Sequence, residues 1–170
     1  MLTNDTWRRE LARLIDAACL EAEFDLTAFV FMPEHIHLLI YPKPENPRIG
    51  TFLARFKQPF SKYVKEILIA KQSNLLSDLT VHQRPGKTCF RFWQEGGGFD
   101  RNLYNPQAID ACINYIHLNR VKRGLCQRAS DWKWSSARFY LTGILDNGLP
   151  KITMPPTDLF EPGGLQFANY

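Results

Sequence analysis

The run His35-Ile36-His37 is the part of the chain best suited to chemistry. On a strand, side chains two apart share a face about 7 Å from each other, so both imidazoles can converge on one ion while Ile36 turns to the other side. Two of only four histidines in the chain stand here, directly after the turn-forming Pro33-Glu34. A histidine pair on a half-exposed strand is otherwise a plain surface feature. A second pair is Tyr115 with Asn119, four residues apart, which on a helix projects a phenol and a carboxamide together. The alternative is a boundary tyrosine packed at the rim of a core. His117 sits two residues from each, about 200° round the helix, and reads as structural.

Several elements must position these groups. Leu11, Leu14, Ile15, Ala18 and Cys19 form one helical stripe within residues 5–22, with Asp5 or Thr6 as the N-cap. FDLTAFVFM and HIHLLIY, separated by Pro33-Glu34, read as a hairpin of antiparallel strands. A proline-rich loop at 42–47 leads to a helix over 49–71 that Pro59 should kink or split. Residues 72–88 are polar and irregular. Strands are expected at 90–93 and 99–103 around Gly96-Gly97-Gly98, and Pro106 opens a helix to about residue 119. DWKWSSARFY reads as a turn and a short helix. The fold class is α+β, an antiparallel sheet with helices packed on one face, divided into a domain over 1–142 and an extended tail over 143–170.

At 170 residues, 45% hydrophobic and 22% charged, the chain is ordinary for one globular domain, which excludes a disordered chain, a fibre and a disulfide miniprotein. Four scattered cysteines without a CxxC pair read as reduced thiols, and no apolar run is long enough for a membrane span. A cytoplasmic protein with no membrane partner is expected. The net charge of +4 is uneven: residues 48–138 carry 16 basic and 6 acidic groups, a local balance of +10. Such asymmetry points toward a polyanionic partner or, more plainly, a solvated basic surface.

PEHIHLLI, FKQPFSKYVK, RFWQEGGGFDRNLYN, INYIHLNRVKRGL and SDWKWSSARFY occur in the order seen in the REP-associated tyrosine transposases, kin of the single-tyrosine HUH transposases. The chain resembles that family over residues 24–141. The resemblance implies a ferredoxin-like (RRM-like) sheet, a divalent cation, Mg or Mn, held by His35, His37 and Asn119, and Tyr115 as the nucleophile. It further implies cleavage and rejoining of single-stranded DNA through a 5′-phosphotyrosine, on a hairpin substrate, by a monomer or homodimer. Arg55, Lys57, Lys62, Arg120, Lys122 and Arg123 would then track phosphates, and Phe92, Trp93, Trp132 or Trp134 would stack unpaired bases; core packing is the alternative for each, the better reading for Phe92 and an equal one for the three tryptophans.

Two departures stand out. The family places a strand before the first helix, whereas this chain starts in TWRRELARL, so the expected sheet lacks its first strand and the histidine strand has an unpaired edge. The family's Asn-Pro after the tyrosine is Asn119-Arg120, which lets the helix run on. Three functions remain open: an active single-strand transposase, a hairpin-binding protein without catalysis, and a ferredoxin-like RNA-binding module, disfavoured because no RNP-type aromatic strand is present.

Overall fold

Helix α1 (Asp5–Ala22) starts at Asn4, whose side-chain oxygen accepts the backbone N–H groups of Thr6 and Trp7 in a computed structural model that describes residues 2–43, 45–96 and 98–155. The cap therefore lies just before the expected Asp5 or Thr6. Asp5 instead accepts from Arg8 at 3.1 Å and from the Trp134 indole at 2.9 Å.

Strands β1 (Phe24–Phe31) and β2 (Ile36–Pro42) form the expected antiparallel hairpin, running from Phe24 opposite Pro42 to Phe31 opposite Ile36. The ladder slips once: Leu26 faces Ile40 and Ala28 faces Leu39, which leaves Thr27 as a bulge. The extra residue changes the alternation. Phe24, Leu26, Phe29 and Phe31 all meet one side of the sheet, and Ala28, Val30 and Met32 meet the other.

Because β1 is buried on both sides, helices cover both faces, which corrects the expected one-sided packing. Helix α1 and helix α2 (Ile49–Ala70) cover the first face, with Phe52, Phe56, Phe60, Val64 and Leu68 forming a buried stripe. Helix α4 (Pro106–Lys122) covers the second with Ile113 and Ile116. Pro59 does not split α2. It sits on the exposed side between buried Phe56 and Phe60, and burying each phenylalanine contributes about 1.5–3 kcal/mol, enough to offset the roughly 3 kcal/mol cost of an interior proline.

A short helix α3 (Leu75–Asp78) precedes a second hairpin, β3 (Thr80–Arg84) with β4 (Lys87–Phe90). This corrects the expected strands at 90–93 and 99–103. The turn is Pro85-Gly86, with Gly86 at φ +73°, a conformation glycine adopts without penalty. Residues 72–88, read as irregular, thus hold most of the hairpin.

The segment after α4 closes one edge of the sheet. After a 3-10 turn at Ala129–Asp131, Ser135 bridges Val30, Phe31 N–H donates to the Trp134 carbonyl at 2.8 Å, and Ser136 N–H donates to the Phe29 carbonyl at 3.0 Å. Helix α5 (Ala137–Thr142) follows. Residues 143–155, part of the expected tail, lie on the domain: Lys151 N–H donates to Asp16 and Thr153 N–H to the Leu26 carbonyl. The rest of that tail lies outside the described residues. The outer edge of β2 has no ladder partner among the described residues, and no strand precedes α1 among them.

Candidate active site

The histidines fall on the α4 side of the sheet. His37 pairs with Val30, whose side chain lies in the core beneath α4, while Ile36 pairs with Phe31 and packs on the opposite face, as strand alternation requires. His35, two residues before His37, shares its face, and the two Nε2 atoms are 3.0 Å apart.

Helix α4 brings the second pair to the same place. The Asn119 amide nitrogen is 3.3 Å from His37 Nε2, and the Tyr115 ring meets the His37 ring edge to face at 5.4 Å. Tyr115 is 49% exposed, so its phenol is open to a large substrate. Its helix continues to Lys122, through Arg120 where the family has proline, and Lys122 places its ammonium 6.0 Å from the Tyr115 ring. His117 points away, buried, with its Nε2 2.8 Å from Ser136 Oγ and its pKa lowered to about 3 by burial.

Hydrogen-bond bookkeeping at the cluster leaves an acceptor-rich point. Glu34 lies 3.3 Å from His35 Nδ1, which favours the proton there and leaves Nε2 as a bare lone pair. Burial, then the neighbouring His35 and Arg123, lower His37 to about pKa 4, so at neutral pH it too is uncharged. Asn119 Oδ1 is buried with no hydrogen-bond partner, and turning the amide over would exchange it with the nitrogen beside His37. Two imidazole nitrogens and one carboxamide oxygen thus converge, a donor set that fits a divalent cation retaining water or phosphate oxygens. Among the described residues no three His, Cys, Asp or Glu side chains converge, so the set depends on Asn119.

Sequence reasoning missed Glu34, reading it only as turn punctuation. It faces His35 and is itself ion-paired with Arg123 from the end of α4. The signal was its position beside the first histidine, since an imidazole that binds a metal usually has a carboxylate or carbonyl on its other nitrogen.

The structure redistributes the expected DNA contacts. Arg120 is 0% exposed, stacked 3.5 Å from the Trp132 ring centroid and donating to the Phe31 carbonyl, so it cannot serve as a surface phosphate contact. Trp134 is 3% exposed and cannot stack bases; it is spent on Asp5 and the core. Trp132 is half-buried, its indole donating to Phe31, with Arg8 and Arg120 near its ring. Arg55 pairs with Glu21, Lys57 approaches the Trp93 ring, and Lys62 lies 3.9 Å from Glu66, all on α2 across the sheet from Tyr115. Phe92 and Trp93 pack against Phe60.

A family model described as "Transposase IS200 like" matches residues 1–84. The "Putative REP-associated tyrosine transposase" of Haemophilus influenzae is 26% identical over 118 residues, 69% of this chain and 61% of that protein. The "REP-associated tyrosine transposase" of Escherichia coli K12 is 27% identical over 113 residues, 66% of this chain and 54% of that one. A solved structure described as "Structure of the REP associates tyrosine transposase bound to a REP hairpin" superposes with a TM-score of 0.55 at 20% identity, covering 92% of this chain and 81% of the other. This likeness concerns the fold. Over residues 1–84 the chain is thus similar to the IS200-like transposases. Among named relatives the likeness is to REP-associated tyrosine transposases, and the chain spans about three-fifths and one-half of those curated relatives' lengths.

Proposed function

We propose that this chain cleaves single-stranded DNA beside a hairpin and rejoins it to another end, with Tyr115 as the nucleophile. The observation that supports this is the convergence of His35, His37 and Asn119 within 3.3 Å contacts beside a half-exposed tyrosine. The curated relatives carry transposase names, and the matched structure is of a REP-associated tyrosine transposase bound to a REP hairpin.

The Tyr115 oxygen bonds to the scissile phosphorus as the bond to the 3′-oxygen breaks; the phenol loses a proton and the leaving oxygen gains one. The product is a 5′-phosphotyrosine and a free 3′-hydroxyl. Reversal with a different 3′-hydroxyl joins strands without an external energy source. His35, His37 and Asn119 would hold a divalent cation, Mg or Mn, which when bound neutralises charge on the phosphate oxygens. Glu34 fixes the proton of His35 on Nδ1, and Lys122 supplies positive charge next to the tyrosine.

The test is incubation of the chain with a hairpin oligonucleotide carrying a single-stranded flank, plus Mn. A covalent adduct that migrates with the protein and is lost in Tyr115→Phe is the expected result. Binding without an adduct would favour the reading without catalysis, and preference for RNA would overturn both.

A further inference from the structure

Phe99 is 94% exposed and Tyr104 87% exposed, the two most exposed aromatic rings among the described residues. Isolated exposed rings are ordinary on a protein surface. Here, however, both belong to the one segment that runs from β4 into α4, and the next most exposed ring is the proposed nucleophile on that helix. Arg101 lies between them, exposed, five residues before the first residue of the nucleophile's helix.

We infer that the Phe99-Arg101-Tyr104 segment is a base-stacking platform that holds the single-stranded flank of the DNA substrate on its way to Tyr115. The inference rests on the proposed DNA cleavage and adds the place where unpaired bases are held. Aromatic faces with an arginine between them suit nucleobases and phosphates together, whereas a protein partner would be better served by rings in a packed apolar patch. Tyr104 immediately precedes the Asn105 cap, and Tyr115 stands nine positions after Pro106, about 14 Å along the helix axis. That is the rise of about four stacked nucleotides. The other candidate aromatics are already engaged, Trp134 in the core and Trp132 by arginines, so this segment takes over the role the sequence suggested for them.

The test uses the full chain and single-stranded flanks with 2-aminopurine placed at successive positions from the phosphodiester that Tyr115 cleaves. The expected result is quenching about four nucleotides from that bond, lost in Phe99→Ala and Tyr104→Ala. Each substitution should weaken binding of the flanked hairpin about 5- to 150-fold and leave the blunt hairpin unaffected. Both side chains are exposed, so both variants should keep the wild-type melting temperature. Wild-type binding with unchanged affinity in both variants would overturn the platform alone. A change in sedimentation of the free protein without a change in DNA affinity would assign the rings to a protein contact, which also overturns it. Absence of single-strand binding by the wild type would overturn the platform and the proposed function together.

Discussion

Arg120 of α4 donates to the backbone carbonyl of Phe31, the last residue of β1. One residue before Arg120 is Asn119; four residues after Phe31 is His35. The bond therefore ties the helix that carries Tyr115 and Asn119 to the turn that carries the histidines. Trp132 donates to the same carbonyl and stacks on the guanidinium.

Replacing Arg120 by Met keeps much of the stack but removes the donor. A charged donor to a carbonyl contributes about 1.5–3 kcal/mol. A fall of several degrees in the melting temperature is expected, accompanied by weaker Mn binding because the two halves of the cluster lose their tie. Arg120→Lys, which lacks the planar fork, should recover little of either. A variant with unchanged Mn affinity would reduce Arg120 to a packing residue.

Glu34→Gln tests the support of His35. The neutral amide can present its donor to Nδ1 and so favour the wrong tautomer. Loss of such a partner lowers metal affinity about 10- to 100-fold, measurable by Mn titration, with little change in melting temperature because Glu34 is half-exposed.

Trp134 separates a structural role from DNA stacking. Trp134→Phe should cost about 1 kcal/mol for the lost bond to Asp5, and Trp134→Ala about 3–5 kcal/mol for the cavity. Thermal melts should show that order. Affinity of the folded fraction for single-stranded DNA should stay at the wild-type value in Trp134→Phe, and a tenfold loss there would contradict the core assignment.

Pro59→Ala should stabilise α2. The substitution returns an N–H to the helix on an exposed position and relieves up to about 3 kcal/mol of proline penalty. A lower melting temperature would mean that the proline bend itself is needed to seat Phe56 and Phe60.

Cys19 gives a pH-dependent outcome. Burial, with Asp16 and Asp25 nearby, pushes its thiol up to about 12, against 9 as the ordinary value. A folded pKa above the unfolded one contributes stability that is whole below pH 9 and is lost as pH rises from 9 toward 12. Wild type should therefore lose more melting temperature than Cys19→Ala between pH 8.5 and 10.5. Alkylation of Cys19 at pH 8 should be slow until denaturant is added.

The hairpin and α1, α2 and α4 were legible in the sequence because each carries a local signal: two β-rich apolar runs, FDLTAFVFM and HIHLLIY, punctuated by Pro33-Glu34, and a period near 3.6 for the helices. The pairing of His35 with His37 and of Tyr115 with Asn119 follows from the periods of strand and helix. That the two pairs meet does not, since it depends on α4 crossing the second face of β1, a long-range packing event no local pattern encodes. The hairpin at 80–90 was hidden by polar strands, whose side chains are mostly exposed and leave no alternation to read. Arg120 reads as a surface group because charge is common in DNA-facing segments, and Trp134 reads equally as core or surface; their burial rests on partners more than 80 residues away.

The bulge at Thr27 bears on how this chain can vary in length. Its carbonyl accepts the Tyr140 phenol at 3.0 Å, and it is the residue that brings Phe24 and Leu26 into phase with Phe29 and Phe31. Point substitutions along β1 alter one contact each. Deleting a single residue here would turn Phe24 and Leu26 out of the core or rotate His37 away from α4. Substitution at this strand is thus graded, whereas a one-codon insertion or deletion is all or none.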